Sequence, residues 1–232
     1  MEYKEPMKKF ILFWSGGKDS SLALTQILKN QEHRVEALLT IIDPTHNMVW
    51  GTGIHESLLL EQAKILKLPL LRIYLSSTID HDEQLFKTLK RLISNGTEHF
   101  AFGFAPQVKK KNKSPAILKS VLSSFSQHIV LPLAEFNREE YAKAHLDSHH
   151  HAIVSAIQES HIPLSVLGKA INRDQTLLAN DSFENWDQIH SMAIFSPHFK
   201  MRLAFSRAIT INENENENND NDVWTVQTLK SV

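Results

Sequence analysis

Apolar residues along this chain gather in short runs separated by amphipathic stretches. Phe10–Trp14, Val35–Ile42, Leu70–Leu75 and Phe100–Phe104 are predominantly apolar and strand-length. Runs of that kind mark strands covered on both faces rather than strands with one wet side. Between them lie segments with helical periodicity, expected from about Ser20 to Asn30, from roughly Ile54 to Lys67 and from about Asp80 to Ser94. In the first of these, Leu24, Ile27 and Leu28 share one face at i, i+3 and i+4. Pro69 closes the second, and Gly96 can supply the left-handed residue past the third. Repeated βα units with nearly all-apolar strands predict an α/β fold with a doubly wound parallel sheet.

The second half is less regular. Pro115 opens a predicted helix to about Phe125, and Ile129–Leu131 reads as a short strand. Asn137 with Glu140 three residues on fits a reciprocal N-terminal cap for a helix to about Ser148. His151–Ile157 is another apolar run, Arg173–Ala179 a short helix, and Ile189–Phe195 a strand. Met201–Ile211 and Val223–Leu229 are expected to pair as antiparallel strands across a polar loop. The expected division is a first domain over residues 1–120 and a smaller α+β domain over 121–232, with a low-complexity acidic loop at 212–222. That loop cannot bury enough apolar area to order itself.

Composition narrows the functional classes. With 42% apolar and 22% charged residues among 232, the chain has the balance of a globular protein. Formal charge is −1, but Glu213–Asp222 holds five acids and no base, so the remainder carries −1 + 5 = +4. A mildly basic body is compatible with a phosphate-bearing ligand. Cysteine is absent, which excludes disulfides, thiolate metal sites, iron–sulfur clusters and a cysteine nucleophile. No apolar run approaches membrane-spanning length, so no membrane partner is expected and the default location is cytoplasmic.

The sharpest signal is Ser15-Gly16-Gly17-Lys18-Asp19-Ser20, directly after the first strand and before the first helix. Paired glycines let the backbone approach a bulky anion, and their amides can form an anion nest. The helix N-terminus behind adds partial positive charge. Ser15 and Ser20 bring hydroxyls, Lys18 a compact cation, and Asp19 a magnesium ligand or a helix cap. The set suits a pyrophosphate, while the spacing is neither G-x-x-x-x-G-K-[ST] nor G-x-G-x-x-G.

This hexapeptide resembles the PP-loop of the ATP-pyrophosphatase superfamily. The order of later features is similar to the diphthine–ammonia ligase family and its bacterial relatives. That order runs through Gly53-Ile54, Glu61-Gln62-Ala63, Ala101-Phe102-Gly103, Leu131-Pro132-Leu133, Leu167-Gly168-Lys169 and His190-Ser191. Departures are Thr52-Gly53 in place of His-Gly, Phe104 in place of Asp after Gly103, and an altered late stretch, Glu184 to Ser191. The resemblance implies a nucleotide-binding fold of the superfamily type, with ATP and Mg2+ held by Ser15, Gly16, Gly17, Lys18, Asp19, Ser20 and Gly103. It further implies adenylation of a carboxylate-type acceptor with release of pyrophosphate, then amidation by ammonia. Lys18, Asp19, Glu184 and His190 are the candidate catalytic residues, and Asp19 the candidate metal ligand. The expected partners are ATP, ammonia and an acceptor that the sequence does not identify, with room for a homodimer. The alternatives are an adenine-nucleotide-binding regulatory protein without turnover, or a PP-loop enzyme acting on another acceptor such as tRNA.

Weaker features stand beside this one. Three adjacent histidines, His149, His150 and His151, cannot all face one point in a regular element, so a helix end is favoured over a metal site. The lysine cluster at 109–113 reads as a solvated loop or as a cover over bound ATP. Glu184 and Asp187 are either magnesium or substrate contacts or part of a polar connection, and Trp186 a stacking surface or interdomain packing.

Overall fold

The computed structural model describes residues 7–49, 52–75, 81–103, 123–147, 149–158, 161–171, 188–198, 205–214 and 223–231, the last two spans as backbone only. The first sheet is built around β1 (Lys8–Phe13), which pairs in parallel with β2 (His33–Asp43) on one side and β5 (His99–Phe102) on the other. β4 (Leu70–Tyr74) lies parallel outside β2, and β6 (Ile129–Val130) lies parallel outside β5. The parallel order is therefore β4-β2-β1-β5-β6, which reverses direction between β1 and β5. Ligands of open α/β sheets bind at such a reversal, beyond the carboxyl ends of the strands. A two-residue strand, β3 (Met48–Val49), turns back antiparallel on the end of β2; two residues are too few for any periodicity to announce.

The runs read from sequence fall in this sheet because both its faces are covered. Phe10, Leu12 and Trp14 enter one buried cluster with α1 (Lys18–Leu28) and α2 (Glu56–Leu66). Ile11 enters a second cluster on the opposite face, with Leu85 and Leu89 of α3 (His81–Ser94). Alternation along one strand thus feeds two cores. The first sheet takes β6 from beyond residue 120, because a parallel neighbour for β5 is reached only after a crossover connection.

A second sheet is antiparallel throughout, in the order β10-β11-β7-β8 with β9 along the other edge of β7. Its strands are β7 (His151–Gln158), β8 (Ala170–Ile171), β9 (Ile189–Phe195), β10 (Phe205–Asn214) and β11 (Val223–Ser231). The expected β10–β11 hairpin is present, and it pairs as far as Asn214 with Val223, reaching into the stretch read as loop. α4 (Arg138–Asp147) starts at the expected cap: Asn137 Oδ1 accepts from the Glu140 amide at 2.9 Å, and Glu140 Oε2 accepts from the Asn137 amide at 3.0 Å. α1 lies against the first sheet on one side and against β9 and α4 on the other. This enclosure explains why Leu22, Ala23 and Leu24, consecutive around the helix, are all fully buried. Among the described residues no helix is long and apolar enough to cross a membrane.

The helix predicted over Pro115–Phe125 lies mostly outside the described residues, and the one over Arg173–Ala179 wholly so, as does the 109–113 lysine cluster.

Candidate functional site

Ser15–Ser20 leaves the carboxyl end of β1 at the reversal point of the sheet. Gly16 takes φ +75°, a left-handed conformation that side chains resist, and a Cβ there would lie 2.8 Å from Gln62 Oε1. Gly17 is the extended N-cap of α1, so the helix begins at Lys18, two residues earlier than expected. The shift matters chemically. Lys18, Asp19 and Ser20 form the first helical turn, where backbone N–H groups have no partner inside the helix. Lys18 donates its amide to Ser191 Oγ at 3.4 Å, Gly17 donates its amide to Ser15 Oγ at 3.3 Å, and Ser15 Oγ and Ser20 Oγ are 3.3 Å apart. Amides and hydroxyls therefore converge on one corner, beside the positive end of α1.

β9 forms one wall of that corner. It pairs with β7 along one side, and at its other side Ala193 donates its amide to the Gly16 carbonyl at 2.8 Å. The Ser191 carbonyl approaches so closely that a Cβ on Gly17 would lie 2.6 Å from it. Gly17 is thus required by the neighbouring strand. Gly103, just past β5, is required by the helix. A Cβ there would lie 2.6 Å from Ser20 Cα, 2.7 Å from the Ser20 nitrogen and 2.8 Å from the Asp19 carbonyl carbon.

Gln62 of α2 ties the corner together. It is fully buried, accepts from the Trp14 indole at 2.8 Å, and donates to the carbonyls of Gly16 at 3.0 Å and Ala193 at 2.8 Å. One side chain thereby fixes β1, the loop and β9. In the sequence the only signal of this role is an amide inside an otherwise apolar helix face.

The charged pair faces α4. Lys18 is 5% exposed, and its ammonium donates to both Asp19 oxygens at 3.0 and 3.1 Å. Asp19 Oδ1 also accepts from the Tyr141 hydroxyl and lies 3.3 Å from His145 Nε2. Burial pushes the His145 imidazole below the ordinary histidine range, outweighing the opposite pull of Asp19, so it is neutral at physiological pH. His150 is pushed down to about 3, first by burial and then by His145; its Nε2 is 3.3 Å from Thr25 Oγ1. The helix-end reading of the histidine run holds only for position. α4 ends at Asp147, His149 takes φ +52° beyond it, and His151 opens β7. His150 is too deeply buried to carry the charge that a helix dipole would favour.

Of the other predicted site residues, His190 lies on β9 beside Ser191, half-buried and opposite Ala156 of β7. Glu184 lies outside the described residues, as do Trp186, Asp187 and Phe104. Thr52 is buried in the turn before α2, where its hydroxyl donates to the Val49 carbonyl at 3.1 Å and accepts from the Ile54 amide at 3.3 Å. Among the described residues no group of three His, Cys, Asp or Glu could hold a metal ion. Asp19 is the acid of the first turn of α1, and a magnesium ion carried by nucleotide phosphates commonly uses only one or two protein carboxylates.

Residues 7–119 match the family described as diphthamide synthase N-terminal domain. A solved structure, the predicted subunit of a tRNA methyltransferase from Methanocaldococcus jannaschii, is similar at 20% identity and TM-score 0.41, covering 64% of this chain and 80% of that one. No curated protein matches the chain. Over residues 7–119, which carry β1, the Ser15–Ser20 loop, α1 and Gly103, the chain is similar to the diphthamide synthase N-terminal domain and bears out the PP-loop resemblance read from its hexapeptide.

Proposed function

We propose that the chain binds ATP with its pyrophosphate end on Ser15–Ser20 and uses it to adenylate a carboxylate-type oxygen, which ammonia then displaces. The observation that supports this reading is the convergence of the Gly17 and Lys18 amides with the Ser15, Ser20 and Ser191 hydroxyls at the N-terminus of α1, at the sheet's reversal point. In the first step an acceptor oxygen attacks the α-phosphorus, the bond to the bridging α,β-oxygen breaks, and pyrophosphate leaves. Negative charge builds on the departing group, where preoriented amides and a lysine are most effective. In the second step ammonia attacks the acyl carbon, AMP leaves with the bonding pair, and a proton is released. Mg2+ would neutralise the phosphates when bound, with Asp19 the residue placed to hold it. Gly103 would act through the helix it packs under, keeping the donors of α1 in place. Glu184 and His190 are proposed on the acceptor side.

One observation favours a second reading, a nucleotide-binding regulator without turnover: Lys18 and Asp19 neutralise each other directly. The neighbour named for tRNA methylation keeps a tRNA acceptor among the arms to be tried. Incubation with ATP, Mg2+ and ammonium, with and without tRNA or cell extract, should yield AMP and pyrophosphate. ADP and phosphate as the main products would overturn the proposed mechanism. Saturable ATP binding with no AMP in any arm would favour the regulator.

A further inference from the structure

We propose that Gln62 is a positioning residue for the phosphate: together with the Ala193 amide it holds the Gly16–Gly17 peptide so that its N–H, and not its C=O, faces the anion. The inference rests on the reading of Ser15–Ser20 as the pyrophosphate site.

A peptide unit is planar and trans, so its N–H and C=O point in opposite directions. In the unit between Gly16 and Gly17 the C=O end is doubly occupied. Gln62 Nε2 donates to the Gly16 carbonyl at 3.0 Å and the Ala193 amide donates to it at 2.8 Å. The N–H end, on Gly17, points the other way, to Ser15 Oγ at 3.3 Å and the corner that Ser15 and Ser20 share. The Gly17 carbonyl is turned from that corner as well, accepting from the Ser21 amide and from the Ser20 hydroxyl, each at 3.1 Å. Each glycine carbonyl thus accepts two hydrogen bonds, its full capacity.

The two carbonyls are not held in the same way. That of Gly17 is fixed by the first turn of its own helix, whereas that of Gly16 is fixed only from α2 and β9. With Gly16 at φ +75° and a second glycine after it, no side chain on either side of this peptide opposes its rotation. A half-turn would set the Gly16 carbonyl toward the corner, where its oxygen repels phosphate, and the Gly17 N–H against the Gln62 nitrogen. Gln62 has a fixed sense that forbids this. The Trp14 indole can only donate, so Oε1 faces it at 2.8 Å, and the NH2 group faces the carbonyls of Gly16 and of Ala193, the latter at 2.8 Å. Leucine or methionine would fill the same buried space. The amide is needed for its aim.

The test is titration calorimetry of the full chain at pH 8, with inorganic pyrophosphate and with ATP and Mg2+, in the parent, Gln62→Leu and Gln62→Glu, each checked for folding by circular dichroism. Gln62→Leu should weaken both ligands roughly three- to tenfold, the worth of one ordinary hydrogen bond. Apparent affinity falls with the fraction of chains whose peptide keeps the binding orientation. Gln62→Glu keeps the acceptor for Trp14 but turns a carboxylate on the Gly16 carbonyl, and should weaken them at least as much. A purely structural role would lower the melting temperature and leave the affinity of the folded protein unchanged. Affinity within about twofold of the parent in folded Gln62→Leu overturns the inference; should that variant fail to fold, Gln62→Glu is read the same way. The Gly17 amide gives a reading that needs no variant. In the parent labelled with 15N-glycine, its proton resonance should move downfield as pyrophosphate saturates the site. Saturable binding that leaves this resonance unmoved overturns the inference and spares the nucleotide reading. A parent that binds neither pyrophosphate nor ATP overturns the nucleotide reading, and the inference with it.

Discussion

Replacing Gln62 by leucine should cost about 3 kcal/mol of folding stability, a figure that follows from three hydrogen bonds. The leucine fills nearly the same volume, so no large cavity forms and the loss is polar. Trp14 loses the acceptor for an indole that is only 1% exposed, and the Ala193 carbonyl loses the amide of Gln62. The Gly16 carbonyl keeps the Ala193 amide at 2.8 Å and suffers less. Two buried groups left unsatisfied cost about 1–3 kcal/mol each, and the added apolar burial offsets roughly 1 kcal/mol of this. Against a typical stability of about 5–15 kcal/mol, the variant should still fold. Urea unfolding followed by circular dichroism should show the midpoint falling by about 1–1.5 M. Gln62→Glu sharpens the test. It preserves the acceptor for Trp14 but turns a donor into a carboxylate facing two carbonyls. It should therefore be at least as unstable at pH 8 and should recover as the carboxyl protonates. A midpoint within about 0.3 M of the parent for Gln62→Leu would refute the claim that this residue fastens the loop to both sheets.

Other outcomes follow from the same geometry. Gly17→Ala should lower stability by about 1–3 kcal/mol by overpacking against the Ser191 carbonyl, measurable by thermal melting even without nucleotide. Gly103→Ala should cost a similar ~1–3 kcal/mol and also weaken ATP, because its Cβ would meet the backbone of Asp19 and Ser20. Ser191→Ala should leave folding nearly intact and weaken pyrophosphate binding in competition assays; unchanged binding would remove β9 from the site. Stability should fall on acidification through His150, whose value drops from 6.5 in the unfolded chain to about 3 when folded. Its contribution is complete above pH 6.5 and is lost progressively as pH falls from there toward 3, with about 1.4 kcal/mol gone at pH 5.5. His145, also lowered by burial, adds in the same direction. Denaturation midpoints at pH 8 and 5.5 that coincide would contradict the buried neutral state.

What the sequence made legible was whatever is local. Phe10–Trp14 is apolar at every position because the strand meets a core on each face, and Ser15–Ser20 follows it without interruption. The Asn137–Glu140 cap is a contact over three residues and was readable as such. The contacts that complete the site are not local. Tyr141 meets Asp19 across 122 positions and Gln62 meets Ala193 across 131. Periodicity says which face of a helix is buried but not which distant element covers it. Tyr141 and His145 stand four residues apart on α4, and nothing local to that helix says that they come against the Asp19 carboxylate. The start of α1 was placed two residues late for a related reason. Lys18 and Asp19 look like loop residues by polarity, and only the extended Gly17 cap shows them to be the first helical turn.

The central claim is that Ser15–Ser20 is a nucleotide site in which Lys18 meets phosphate, and titration calorimetry with ATP and Mg2+ tests it most directly. The account predicts one saturable site in the parent, competed by pyrophosphate and lost in Lys18→Ala, with both proteins folded by circular dichroism. Absence of binding in the parent, or equal binding in a folded Lys18→Ala variant, would contradict it.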